Sequence, residues 1–158
     1  MYNCGTWALT KAEEETLDAF HRKQLKRILN IRYPTIITNE SLYQITNEKP
    51  ISLHILQQRW QLFGHILRRD KLIPANIAMS AYFQKHGEPF RGRPITTLPV
   101  LLDKNLGTLE KGMSLKTLDD LENLRVMAED RQKWRDLTGE MLDAAKATRP
   151  VGRDAEGN

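Results

Sequence analysis

Between Ser52 and Leu67, Leu53, Leu56, Trp60, Phe63 and Leu67 follow alternating steps of three and four, and Ile55, Leu62 and Ile66 widen the stripe. Helical spacing predicts one helix here, entered through Ser52 as its cap. A helix so apolar over so wide an arc must be covered by other elements of the chain. Gly64, in its middle, costs about 1 kcal/mol relative to alanine, so a neighbouring helix or a ligand is expected to approach closely there.

The rest of the chain supplies amphipathic helices to do the covering. In "TKAEEETLDAFHRKQLKRILNI", Thr10 stands three residues before Glu13 in capping-box spacing, and Leu17, Phe20, Leu25, Ile28 and Leu29 recur at helical intervals. Pro34 ends that helix, and "TNESLYQIT" reads as a short second one capped by Thr38 or Asn39. Pro74 suits the first position of "PANIAMSAYF". "TTLPVLLDKNLG" enters a helix through Thr97, with Pro99 in its first turn and Gly107 as its stop. A last helix is predicted from Thr117 unbroken through "LDDLENLRVMAEDRQKWRDLTGEMLDAAKA", burying Leu121, Leu124, Ala128, Trp134, Leu137 and Met141.

No stretch shows period-two alternation with β-branched enrichment beyond four residues. The expected fold is all-α, an irregular bundle of about five to six helices with a disordered tail over 148–158. Residues 1–86 form a basic helical region, 87–97 a Gly/Pro/Arg loop, and 98–147 a C-terminal helical extension.

Composition restricts function more than it specifies it. Cys4 is the single cysteine, so neither an internal disulfide nor a two-thiolate site is available. His54 and His65 share a helical face but lie eleven residues apart, roughly 16 Å, too far for one ion. No cofactor is expected, no phosphate loop or nucleophile motif is present, and the acids crowd helix starts, where capping accounts for them. No apolar run nears the ~18 residues of a membrane span, and "MYNCGTWALT" lacks the features of a secretory leader, so an intracellular setting without membrane or small-molecule substrate is expected.

Charge is unevenly spread. Residues 19–94 hold five lysines and eight arginines against four acids, a net of +9, whereas 101–158 carry a net of −2. Such an excess favours polyanions, although a solvated surface has the same look. Lys23, Lys26 and Arg27, then Arg59, Arg68 and Arg69, then Arg91 and Arg93 are the candidate phosphate ligands, with Gly64 and His65 shaping the approach. The competing reading makes His65 a helix histidine and Arg68, Arg69 and Lys71 solvated charges at a helix C-terminus. Tyr43, Trp60 and Tyr82 are candidates for base stacking, or core residues at helical spacing.

Taken in order, "CGTWALT", "LKRILNIRYPTIITNESL", "RWQLFGHILRRD", "RGRPITTL" and "AEDRQKWRDL" resemble the region downstream of the polymerase palm in reverse transcriptases of non-LTR, LINE-like retrotransposons. The matching positions include Trp7, Leu25, Arg27, Ile28 and Leu29, then Arg59, Phe63, Gly64, His65, Ile66 and Arg68, then Gly92, Arg93 and Pro94, and finally Asp130, Arg131, Trp134 and Arg135. Asn3, Gly5, Leu62 and Leu98 depart from the family's pattern. The resemblance implies a thumb and C-terminal extension that hold a template-primer duplex of RNA or DNA beside a palm. It places the catalytic aspartates upstream of residue 1, so this chain alone is expected not to polymerise nucleotides. Two alternatives remain open: a helical module that docks on a palm or another protein, and a translated relic without function.

Overall fold

The computed structural model describes residues 3–84, 96–109 and 111–148, and these contain seven α-helices and no strand. The expected disordered tail falls, from residue 149 on, outside the described residues, as does most of the predicted Gly/Pro/Arg loop.

The wide apolar stripe is α3, Ile51–Leu67. Trp60, Phe63 and Leu67 of α3 pack into one buried cluster with Met79 and Phe83 of α4 (Pro74–Gln84) and Leu102 and Leu106 of α5 (Leu98–Leu106). Leu121, Leu124 and Ala128 of α6 (Leu118–Glu129) and Trp134, Leu137 and Met141 of α7 (Arg131–Ala147) complete it. This core therefore draws on both sides of the 87–97 segment. Trp60, Phe63 and Trp134 meet ring to ring, with centroids 5.5–5.9 Å apart, and burial of such rings is the largest apolar contribution available to a helical core.

The continuous last helix is corrected to two, which brings the count to seven. Asp130 adopts φ −81°, ψ 103°, ending α6 and capping α7: its carboxylate accepts from the backbone N–H groups of Gln132 (2.9 Å) and Lys133 (3.2 Å). Periodicity runs through the break because both helices turn apolar faces to the same core. The other predicted caps at Thr10, Thr38, Thr97, Gly107 and Thr117 stand where expected, with reciprocal capping boxes at Thr10–Glu13 and Thr117–Asp120.

Ser52 does not cap α3. Pro50 occupies that position without a side-chain bond, and the cap comes from another helix: the Asp18 carboxylate of α1 (Lys11–Ile28) accepts from Ser52 N (2.9 Å) and Ser52 Oγ (2.6 Å). Earlier in the chain, the 3-10 turn Cys4–Thr6 lies against Gln58 and Arg59. Since α1 starts beside the middle of α3 and reaches its N-terminus at Asp18, the two run antiparallel. The second half of α1 then continues past the start of α3 and is joined there by α2 (Asn39–Thr46), where His21 meets Tyr43.

That projection explains why the predicted apolar face of α1 is largely wet. Leu25 is buried, as is Leu42 of α2, but Phe20 is 58 % exposed, Ile28 78 % and Leu29 38 %. No helix among the described residues is long and apolar enough to cross a membrane.

Candidate nucleic-acid interface

One basic feature forms on the projecting half of α1. Arg22, Lys23, Lys26 and Arg27 occupy positions one and four residues apart, which places them on adjoining faces of the helix. With Ala19 and Ile31 they line a shallow hollow of about 430 Å³. None has a carboxylate within ion-pair distance among the described residues. Lys26 and Arg27 lie in the last turn, where the helix dipole favours cations without any partner.

Arg59 is withdrawn from the predicted grip. It is 2 % exposed, on the side of α3 facing the 3-10 turn and α5, where its Nη2 donates to Trp7 O (2.9 Å) and its Nη1 reaches Asn105 Oδ1 (3.5 Å). Burial lowers its pKa, against the opposing pull of Glu14. A guanidinium committed to interior acceptors has no access to a phosphate.

Gly64 is buried as well, and the close approach inferred there comes from a helix. A Cβ on Gly64 would stand 2.2 Å from Trp134 Nε1, and that indole N–H donates to Trp60 O (2.9 Å). The glycine is the slot through which α7 seats its tryptophan on α3. Trp60 itself is fully buried and presents no face for a base, and Tyr82 is half-buried against the core with its hydroxyl near Thr97.

The remaining predicted cations separate into two groups. His65 and Arg69 are exposed at the end of α3, where Arg69 Nε donates to His65 Nε2 (3.3 Å), and Arg68 Nη1 donates to Ala128 O (3.0 Å). With α1 and α3 antiparallel, this end lies on the order of 30 Å from Lys26, at 1.5 Å per helical residue. The structure thus places Lys23, Lys26 and Arg27 at one end and Arg68 and Arg69 at the other. Arg91 and Arg93 lie outside the described residues. Among the described residues no group of three or more His, Cys, Asp or Glu side chains is placed to hold a metal.

No family model, no curated protein and no solved structure matches this chain. Two contributors to the second group escaped the sequence reading. Arg125 had a signal, since it sits in step with Leu121, Leu124 and Ala128 on the buried side of α6. Arg131 stands in the "AEDRQKWRDL" stretch that carries the resemblance, but only the unanticipated helix break at Asp130 brings it into this group.

Proposed function

We propose that the chain is a portion of a LINE-like retrotransposon RNA-directed DNA polymerase, without its catalytic palm, that binds the backbone of a template-primer duplex through the basic face of α1. The ordered motifs support the ancestry. The observation that carries the binding reading is the hollow ringed by Arg22, Lys23, Lys26 and Arg27, four cations with no carboxylate to neutralise them among the described residues. Charges of this kind attract phosphate and read no base, so RNA and DNA duplexes of unrelated sequence should bind alike. On this reading the chain is not an enzyme on its own and requires no cofactor.

Fluorescence anisotropy of a labelled RNA–DNA hybrid across a salt series tests this. Four neutralised phosphates give a slope of log affinity against log salt of about −3.6, on the duplex-DNA figure of about 0.9 per contact. Lys23→Glu/Arg27→Glu should make the slope shallower by about 2. Binding that ignores salt, or survives the reversal unchanged, refutes the reading. A second reading, a helical protein-interaction module, is favoured by the exposed Phe20, Ile28, Tyr33, Ile36 and Ile45 around the same projection. It gains if the apolar-to-serine variant Phe20→Ser/Ile28→Ser abolishes association with an upstream palm while leaving hybrid binding intact.

A further inference from the structure

We propose that the corner between the C-terminus of α3 and the α6–α7 junction is a separate anion site that takes one phosphate group between Arg68 and Arg131. The corner is a hollow of about 580 Å³, lined among others by Arg68, Arg69, Lys71, Arg125 and Arg131. It lies on the order of 30 Å from the basic face of α1. A single phosphate group therefore does not bridge the two.

The floor of the corner is fixed and its internal acceptors are already spent. Asn76, 1 % exposed, shares its amide N–H groups among the carbonyls of Ile66 (3.0 Å), Arg69 (3.2 Å) and Asp70 (2.9 Å). Buried Arg125 donates to Leu67 O (2.6 Å) and to Asn76 Oδ1 (3.4 Å), and its charge is met by Glu122 at 3.4 Å. The carbonyl end of α3, which would otherwise repel an anion, is thereby occupied by fixed donors. Lys71 is likewise engaged by Glu122 (2.7 Å).

Arg68 and Arg131 are in a different position. Arg68 is anchored through one nitrogen to Ala128 O, which leaves most of its five N–H donors for a ligand. Arg131 opens α7, directly after the capping Asp130. Neither has a carboxylate within ion-pair distance among the described residues. They stand close enough that Arg131, after burial, is the second cause holding the Arg68 pKa below its usual value. Two guanidiniums held together without an intervening acid are stabilised by a shared oxyanion, and their forked donors suit a phosphate.

Three lining or neighbouring acids are spoken for: Asp70 accepts from Leu72 N, Asp130 from the first turn of α7, and Glu122 from Lys71 and Arg125. Glu129 lines the rim with no ion-pair partner among the described residues, and its charge opposes an incoming anion. Removing that charge should therefore strengthen binding.

The test is a titration of the full chain with inorganic phosphate at constant ionic strength, followed through the arginine Nε–H resonances. Saturable shifts are expected at Arg68 and Arg131 and not at Arg22 or Arg27. Arg131→Glu should weaken binding by at least about tenfold; an acid at a helix start is compatible with folding, so this variant keeps α7. Glu129→Gln should tighten it, and Arg22→Glu/Arg27→Glu should leave it unchanged, which separates this site from the α1 face. Shifts that never saturate, an Arg131→Glu variant with unaltered affinity, or equal loss in the α1 variant overturns the proposal. Competing strands then identify the source. A 5′-phosphorylated oligonucleotide that displaces phosphate better than its 5′-hydroxyl form assigns a strand terminus, and equal displacement assigns the backbone. Displacement by neither assigns free phosphate.

Discussion

Gly64→Ala should be among the most damaging small substitutions in this protein, although it exchanges a poor helix former for the best one. In an exposed helix the change stabilises by about 1 kcal/mol. At Gly64 the new methyl would lie 2.2 Å from Trp134 Nε1, 2.6 Å from Cε2 and 2.8 Å from Cδ1, far inside contact distance. The indole is 3 % exposed and hemmed by Trp60 and Phe63, so it has nowhere to retreat without reopening the core. Overpacking of this kind costs about 1–3 kcal/mol. Displacing the ring also breaks its bond to Trp60 O and strands a buried N–H, which costs a further 1–3 kcal/mol or so. After the helix-propensity gain is subtracted, the net loss is about 1–5 kcal/mol. Gly139, in the middle of α7 with nothing within 4 Å of its would-be Cβ, provides the internal control: there alanine should stabilise by about 0.5–1 kcal/mol. Urea unfolding of both variants gives opposite signs on this reasoning, and Trp134→Leu should absorb much of the Gly64→Ala cost in a double-mutant cycle. If Gly64→Ala unfolds at the same urea concentration as the parent with the same slope, the slot is not what the glycine supplies.

Asn76→Ala should cost about 2 kcal/mol or more, since it releases three carbonyls at the end of α3 and one Arg125 contact; chemical denaturation measures it, and a loss below about 0.5 kcal/mol would contradict the cap. Asp18→Ala should cost about 0.5–2 kcal/mol by uncapping α3 from α1, with hydrogen exchange rising first at Leu53 and His54, whose amides lie in that first turn. Backbone and side-chain hydrogen bonds from the caps hold Glu13, Asp120 and Asp130 below the ordinary carboxylate range, and Lys71 does the same for Glu122. A depressed carboxylate contributes stability that is present above its unfolded pKa, about 4, and is lost as pH falls through the folded value. Urea midpoints should therefore fall below about pH 4, and Asp120→Asn should flatten that slope; a midpoint that rises on acidification reverses the sign and refutes the caps.

Local chemistry made much of this architecture legible. Thr10, Thr38 and Thr117 announce helix starts because the orphan N–H groups of a first turn must find an acceptor within a few residues, and that acceptor is visible in sequence. The buried face of α3 is equally readable, because a helical period needs no knowledge of what covers it. The break at Asp130 was hidden, since apolar periodicity continues through it and the local cap that Asp130 gives Gln132 and Lys133 does not interrupt that pattern. The basic candidates were legible as charges but not as a surface. Arg59, turned inward onto Trp7 O, had a signal that went unused, since it stands in step with Ile55, Leu56 and Phe63 on the buried face of α3, whereas Arg68 at the helix end is held at the edge.

Composition and periodicity by themselves determined an all-helical chain wrapped round one very apolar helix, because burying such a stripe is the largest favourable term open to it. Which cations reach solvent, which glycine is a slot, and which carboxylate caps a helix 34 residues away were decided only when the helices docked. Those outcomes depend on rotation about each helix axis and on the order of packing, and both are set by shape complementarity between segments far apart in the chain.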